Sequence, residues 1–519
     1  MMTPEKVRDR RTLALLATSA AAFAMLQTII SPVLPTIQQH FGTTQDTLSW
    51  VLIAYLLAAA VATPILGKIG DLVGKDRALR IALGTLALGC LVAALAPNVT
   101  VLLVGRVLQG CGGAVFPLSF GIVRDEFPPN RVPTAIGILS GVLGLGGGLG
   151  TVLAGPLVDL VGWRSLFWLP MLLVVAVAAL STRVVTPSPV RSGGRVNWLA
   201  ATMLSAWLVA LLLPLSMGAR WGWSSPATVG LFAAAVVAAA AWAVIETRTD
   251  NPVIDIRMMR RRGVWAPNLI AFLLGAGMFG VLGFLPQLMR TPPAGGYGFG
   301  ASVTVAGLLL APMPILQATT SPVSGALAPW LGLKAQLAAG SALLALSSAG
   351  FALFHDSPWK VATGAGVFGI GLGMAYATLT SVIVQAVPAT QTGTVSGVNA
   401  NIRTVGGAVG TALVTAIVTA SPQATGYPRE SGFVDGFLTL ALMCAAAMLL
   451  CLLIPASPWR STGAPDTTGT EALQPGGLGG ETPRSAGTRQ SHRRPAKAPP
   501  RHRARRPGIP PRTDKDRCR

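Results

Sequence analysis

Arg106 and Arg403 stand inside long apolar stretches of this 519-residue chain, and no acidic residue shares those stretches away from the helix ends. A full charge in hydrocarbon costs about 2.5–3.5 kcal/mol on insertion scales, so such a residue faces an aqueous cavity or a partner and marks a functional position. The 19 acidic residues fall at helix ends, in loops or in the C-terminal segment, which leaves any cavity around the two arginines formally positive. Uncharged polar residues also interrupt the apolar runs: Gln27, Gln109, Asn268, Gln287, Tyr376, Gln385, Asn399 and Asn401. They either line a cavity and hydrogen-bond a solute or bridge neighbouring helices. No nucleophile–base constellation, phosphate-binding loop or metal-ligand spacing occurs among so few polar groups, so an enzyme is not expected, nor a metal or cofactor.

The elements that must position these residues are membrane helices. The chain is 51% hydrophobic and 11% charged, with mean hydropathy +0.59, against about 25% charged residues in a soluble domain. The bilayer has to be the solvent for so much apolar sequence. Runs of about 20 mostly apolar residues suffice to cross it, and fourteen are present: Thr12–Pro35, Leu48–Leu66, Ala78–Ala96, Val101–Val123, Val132–Val158, Ser165–Val185, Trp198–Met217, Ala227–Val244, Val264–Leu288, Ser302–Val323, Ala335–Phe354, Val361–Val387, Val395–Ala420 and Phe437–Ile454. Breaks are least sharp near Pro286 and Pro312. The first run is too long for the apolar part of a cleaved leader. Cys90, Cys111, Cys444 and Cys451 lie in apolar stretches and read as buried thiols rather than a disulfide scaffold.

Charge sets the topology. With the N-terminus inside, inner segments and adjoining helix ends hold 19 Lys/Arg and the outer loops five, Arg164, Arg220, Arg290, Lys360 and Arg429. This is the positive-inside asymmetry, and an even number of helices puts the C-terminus inside too. Asp46 and Asp159 then lie on the same outer side as Arg106, as its nearest carboxylates. Of the net charge of +21, 14 Lys/Arg and 5 Asp/Glu after Ser457 supply +9. That segment is rich in Pro, Gly, Thr and Arg, a composition that predicts disorder, and it suits anionic lipid better than nucleic acid.

Two halves repeat. TPILGKIGDLVGK, from Thr63 to Lys75, is echoed 258 residues later by SPVSGALAPWLGLK, so that Pro64, Gly67 and Gly74 correspond to Pro322, Gly325 and Gly332. A weaker echo links Ser140–Thr151 with Ser396–Thr411. The expected organisation is a cytoplasmic N-terminus (1–11), a six-helix bundle (12–185), two extra helices with linkers (186–263), a second six-helix bundle (264–456) and the basic tail (457–519).

Several motifs stand in order along this frame. The turn Gly67-Lys-Ile-Gly-Asp71-Leu-Val-Gly74-Lys75-Asp76-Arg77 places one acid among cations, with glycines permitting tight passage between two helices. The fourth helix carries Arg106-Val-Leu-Gln109-Gly110, with arginine and glutamine on one face. Arg106 lies five residues into that helix, roughly 7.5 Å deep at 1.5 Å per residue. The fifth helix repeats small residues through Gly144, Gly146, Gly147, Gly148, Gly150, Ala154 and Gly155 to Pro156. Together with Ala306–Pro312, Trp163-Arg164 and Asn401-Ile-Arg403, these motifs resemble the major facilitator superfamily, and within it the fourteen-helix drug:proton antiporter branch, over about residues 10–456.

The resemblance implies an all-α polytopic fold of two six-helix pseudo-repeats plus two central helices. It implies alternating access driven by a proton gradient, with Arg106 tied to proton coupling, Asp71 to gating and Gly146, Gly150, Gly155 and Pro156 to packing against a moving neighbour. Asp71 is expected to reach the start of the thirteenth helix near Val395, whose positive terminus favours an anion. The fifth helix departs from the exporter pattern, with Thr151 for a proline and Ala154 for a glycine. So does the first: Leu26 stands where the branch usually carries an aspartate, which throws proton coupling onto peripheral carboxylates such as Asp46 and Asp159. The leading expectation is a monomeric, proton-coupled exporter of hydrophobic small molecules in a plasma membrane, with Gln27, Gln109, Gln287, Tyr376, Asn401 and Arg403 in the cavity. An organic-anion facilitator or importer also fits the two arginines. A membrane scaffold recruiting through the basic tail is the third reading.

Overall fold

The computed structural model describes residues 4–188, 191–293, 296–420 and 427–454. The basic segment 457–519, and the lipid contact expected of it, lie outside the described residues. Fourteen helical spans are long and apolar enough to cross a membrane: α1 Val7–Phe41, α2 Gln45–Val73, α3 Lys75–Ala94, α4 Val99–Glu126, α5 Val132–Val161, α6 Ser165–Val184, α7 Trp198–Trp221, α8 Pro226–Arg248, α9 Arg262–Arg290, α10 Val303–Leu331, α11 Leu333–Leu353, α12 Pro358–Ala386, α13 Ala389–Thr419 and α14 Glu430–Leu453. Capping residues fix several starts. Side chains of Thr44, Asn98, Asn197, Ser225 and Ser302 each accept a backbone N–H from the first turn of α2, α4, α7, α8 and α10, satisfying donors that a helix start leaves free.

Three spans are interrupted where the chemistry of the backbone requires it. α1 is α-helical to Thr28, then tightens into a 3-10 turn at Ser31–Val33 around Pro32. α4 passes through a 3-10 turn at Cys111–Ala114, inside its glycine run. In α10 the α-helix stops at Leu310 and restarts at Pro312, whose missing N–H breaks the ladder. Pro286 breaks nothing: it lies within the continuous helix Arg262–Arg290. Cys111 is only half-buried, unlike the other three apolar-stretch cysteines.

The cores follow the repeat. One apolar cluster gathers Leu16, Tyr55, Leu79, Leu118, Ile136 and Val174 from the first six spans; another gathers Leu274, Met313, Leu337, Phe368, Val414 and Phe437 from the last six. The halves touch most extensively through two crossings related by the repeat, α2 on α13 and α5 on α10, with lesser contacts of α12 on α5 and α13 on α4. Glycine makes both crossings close. A Cβ on Gly67 would stand 2.6 Å from the Gly393 carbonyl oxygen, and one on Gly141 would stand 2.8 Å from that of Ala318. α7 and α8 pack on each other, and α7 leans on both α2 and α13 through Leu204 and Leu208, with Ile65 and Val398 against the same cluster. α8 leaves Val236 and Val237 70% exposed, as an outward apolar face in lipid requires.

Candidate functional site

The Gly67–Arg77 turn closes one end of the molecule. Gly74 adopts φ +112° between α2 and α3, a conformation that L side chains avoid. This turn sets Asp71, 1% exposed, against the start of the α-helical part of α13 at Thr392. Asp71 Oδ1 accepts the Gly393 N–H at 3.1 Å, and Oδ2 accepts both the Thr394 N–H and its hydroxyl at 2.8 Å. A helix N-terminus offers free N–H groups and a partial positive charge, so a carboxylate there is doubly favoured. Asp71 thus meets the helix terminus expected of it.

Further bonds at this end were not legible in the sequence. Lys75 is fully buried, paired with Asp125 at 2.6 Å and donating to the Ala389 carbonyl at 3.1 Å. Arg124 donates to the Thr392 hydroxyl at 2.8 Å. Ser192, in the linker before α7, donates through its N–H and hydroxyl to the Asp71 carbonyl at 2.6 and 3.0 Å. Arg77, expected in this network, is exposed and makes none of these bonds; Arg80 pairs with Asp76 instead. Among the described residues, Asp71 is the carboxylate whose own hydrogen bonds join the two halves.

Arg106 is sealed inside the first half. Its Nε donates to the Val51 carbonyl at 3.0 Å, and Nη1 donates to Gln109 Oε1 at 2.6 Å and to the Leu26 carbonyl at 3.4 Å. The guanidinium centre lies 4.2 Å from the middle of the Tyr55 ring. Gln109 in turn donates to Cys90 Sγ at 3.3 Å. Leu26 stands two residues before α1 loses its α-helical ladder, where carbonyls become available. The position at which the family usually carries an acid therefore touches Arg106, but through a backbone oxygen. With 0% exposure, Arg106 does not snorkel to the surface.

Asp46 and Asp159 are not its partners, and this corrects the expectation. Asp46 is exposed and pairs with Arg220, because the cap at Thr44 places it in the exposed first turn of α2. Asp159 is exposed near the end of α5, on the face opposite Leu157 and Val158, which pack within the first half.

Between the halves, above the Asp71 contact, lies a small cavity of about 20 Å³, room for about one water, walled by Phe116, Phe120, Ser140, Leu143, Tyr376, Thr380, Ser396, Asn399 and Arg403. Arg403 sits with its guanidinium 4.8 Å from the centre of the Tyr376 ring. Of the six expected cavity residues, Tyr376 and Arg403 line it. The other four do not, for distinct reasons. Gln109 is spent on Arg106. Asn401 donates to the Ala60 carbonyl at 2.5 Å and stitches α13 to α2. Gln287 is exposed near the end of α9, and Gln27 is half-buried on α1 outside this wall. Ser140 and Ser396 line the cavity without standing out as polar interruptions in the sequence, although each begins one copy of the weaker echo.

The small residues of α5 divide by depth. A Cβ on Gly146 would stand 2.9 Å from the Ala21 carbonyl oxygen and one on Gly150 2.7 Å from that of Met25, so both pack on α1. The Thr28 hydroxyl adds a 2.7 Å bond to the Gly147 carbonyl. Gly148 faces Pro314 of the other half. A Cβ on Gly155 would meet nothing within 4 Å, and Pro156 is exposed. The expected packing thus holds at Gly146 and Gly150 and fails at Gly155 and Pro156, which lie on the exposed face of α5 while Ala154, Leu157 and Val158 carry the packing on.

This geometry, two pseudo-repeated helical bundles around a central cavity, defines a polytopic membrane transporter rather than an enzyme. The family profile of the Major Facilitator Superfamily matches residues 16–197 and 188–411, and the chain belongs to that superfamily. It is 29% identical over 406 residues to the tetracenomycin C resistance and export protein of Streptomyces glaucescens, covering 76% of this chain and 73% of that protein. It is 27% identical over 418 residues to the multidrug transporter protein MdtP of Bacillus subtilis, covering 78% and 75%. The crystal structure of the human organic anion transporter MFSD10 superposes with a TM-score of 0.64 at 17% identity, over 87% of this chain and all of that one, a likeness of fold.

Proposed function

We propose that this protein is a plasma-membrane efflux transporter that exports hydrophobic small molecules, of drug or antibiotic type, by proton-coupled alternating access. The observation that carries the reading is the lock at the Asp71 end. Every contact between the halves described above lies between that end and the level of Gly148 and Asn401, while beyond Thr151 the α5 face that carries Val152, Gly155 and Pro156 is exposed and only Ala154, Leu157 and Val158 still pack within the first half. An arrangement joined at one end, with no described contact between the halves at the other, supports one of the two states that alternating access requires. The Lys/Arg asymmetry supports a cytoplasmic Asp71 end. The export and resistance functions named for its relatives support the direction.

Opening toward the cytoplasm has to break the Asp71 contacts with Gly393 and Thr394. Protonating that carboxylate removes the charge that the helix terminus holds, so proton uptake there would release the lock. Arg106 ties α1, α2 and α4 into one rigid unit, which lets the first half move as a body. A drug-susceptibility panel in a host stripped of its own exporters, followed by flux in everted vesicles with and without a pH gradient, tests the reading. Raised resistance and gradient-dependent flux are expected; unchanged susceptibility across the panel contradicts it. The two arginines without carboxylate partners favour a second reading, an organic-anion facilitator, which would show flux that persists without the gradient.

A further inference from the structure

We infer that the floor of the central cavity is an anion-recognising subsite, and that the transported molecules are amphipathic organic acids whose carboxylate or phenolate meets Arg403. The inference rests on the transport reading in placing the cavity on the solute path; it adds the chemistry of what binds there.

The two intramembrane arginines differ in how they are satisfied. Arg106 is enclosed and already has two backbone carbonyls and a glutamine oxygen as acceptors. Arg403 is half-buried and lines the cavity, and its only described partner is the face of Tyr376. No ion pair or hydrogen bond to it exists among the described residues. A guanidinium does not lose its proton in a protein, so this charge persists in a poorly solvated wall and attracts an anion.

The surrounding groups suit the same ligand. Ser396 is buried, lines the cavity, and its hydroxyl has no hydrogen-bond partner. Burying a donor unmatched is costly, and an incoming acceptor would relieve it. Ser140 and Thr380 add two more hydroxyls in the same wall, without protein partners among the described residues. Ser140 and Ser396 come from corresponding places in the two halves, so a ligand oxygen held by both would couple them. No carboxylate lines the cavity to repel an acid or pair with a cation. At about 20 Å³ the cavity in this closed arrangement admits only the acid group, and Phe116, Phe120 and Leu143 are the apolar walls that the rest of the molecule would meet once the halves part. An aryl acid meets both requirements.

The test is calorimetric binding of 2-naphthoate and its near-isosteric neutral amide, 2-naphthamide, to the purified full chain. Naphthoate is expected to bind at least about tenfold more tightly, or ~1.4 kcal/mol. Arg403→Gln should bring the two affinities together by weakening naphthoate alone, and Arg403→Lys should keep a preference for the acid. In the wild type, raising salt should weaken naphthoate and leave naphthamide unchanged, a readout that does not depend on any variant folding. Equal affinities in the wild type, no binding of either probe, a salt-insensitive preference, or a preference surviving in Arg403→Gln overturns the inference. Drug susceptibility is read separately: an acid preference without any resistance would sink the efflux reading and leave the anion subsite standing.

Discussion

Asp71 and Thr394, 323 residues apart, meet twice: the Thr394 N–H and hydroxyl each donate to Asp71 Oδ2 at 2.8 Å. Charged hydrogen bonds of this kind contribute about 1.5–3 kcal/mol each, and on the proposed mechanism they break when the Asp71 end opens. Asp71→Asn keeps the volume but removes the charge and turns an amide donor toward donors. Transport should fall by roughly an order of magnitude or more, with the protein still reaching the membrane. Vesicle flux normalised to membrane protein checks this, and wild-type rates would remove Asp71 from the gate.

Gly67 tests the same contact by size. A methyl group there meets the Gly393 carbonyl oxygen at 2.6 Å, and overpacking of this sort costs about 1–3 kcal/mol. Gly67→Ala should therefore weaken closure and cut transport severalfold. Gly155→Ala, with open space around its Cβ, should change neither expression nor flux, even though it alters a residue of the fifth-helix motif.

Arg106 sets a stability question against a functional one. A buried charge without a carboxylate carries a desolvation cost of several kcal/mol, and an apolar replacement of similar size is often neutral or stabilising. Arg106→Met is expected to melt within ~5 °C of the wild type yet lose transport, because the tie from α4 to Leu26 and Val51 is gone. A variant that transports normally would make Arg106 dispensable.

The outer carboxylates are expected to be silent. Asp46 pairs with Arg220 in solvent, and exposed pairs contribute about 0–1 kcal/mol. Asp46→Asn combined with Asp159→Asn should leave gradient-driven flux within about a factor of two of the wild type, since each 1.4 kcal/mol corresponds to tenfold. A collapse of gradient dependence in that double variant would return proton coupling to the rim.

What could be read from the sequence followed from local physics. Fourteen spans were legible because apolar length is a property of consecutive residues, and Asp71 was legible because its turn and the helix it meets each carry a sequence signature. Partners across the fold were not. Lys75 with Asp125, Arg124 with Thr392 and Ser192 with Asp71 join segments whose spacing says nothing of contact. The same limit misplaced Asn401, whose amide holds α2 rather than lining the cavity. Ser140 and Ser396 were within reach, since the echo that contains them marks equivalent positions in two halves that face one cavity.

The central claim, closure at the Asp71 end with access from the other, is tested most directly at Ala400. This half-buried residue lines the cavity, and cysteine is placed there in a background where all five native cysteines are replaced. A membrane-impermeant thiol reagent should label Ala400→Cys in right-side-out vesicles and not in inside-out ones. Adding Asp71→Asn should let the reagent in from the Asp71 face. Labelling of the single variant from the Asp71 face, or equally from both, would contradict the account.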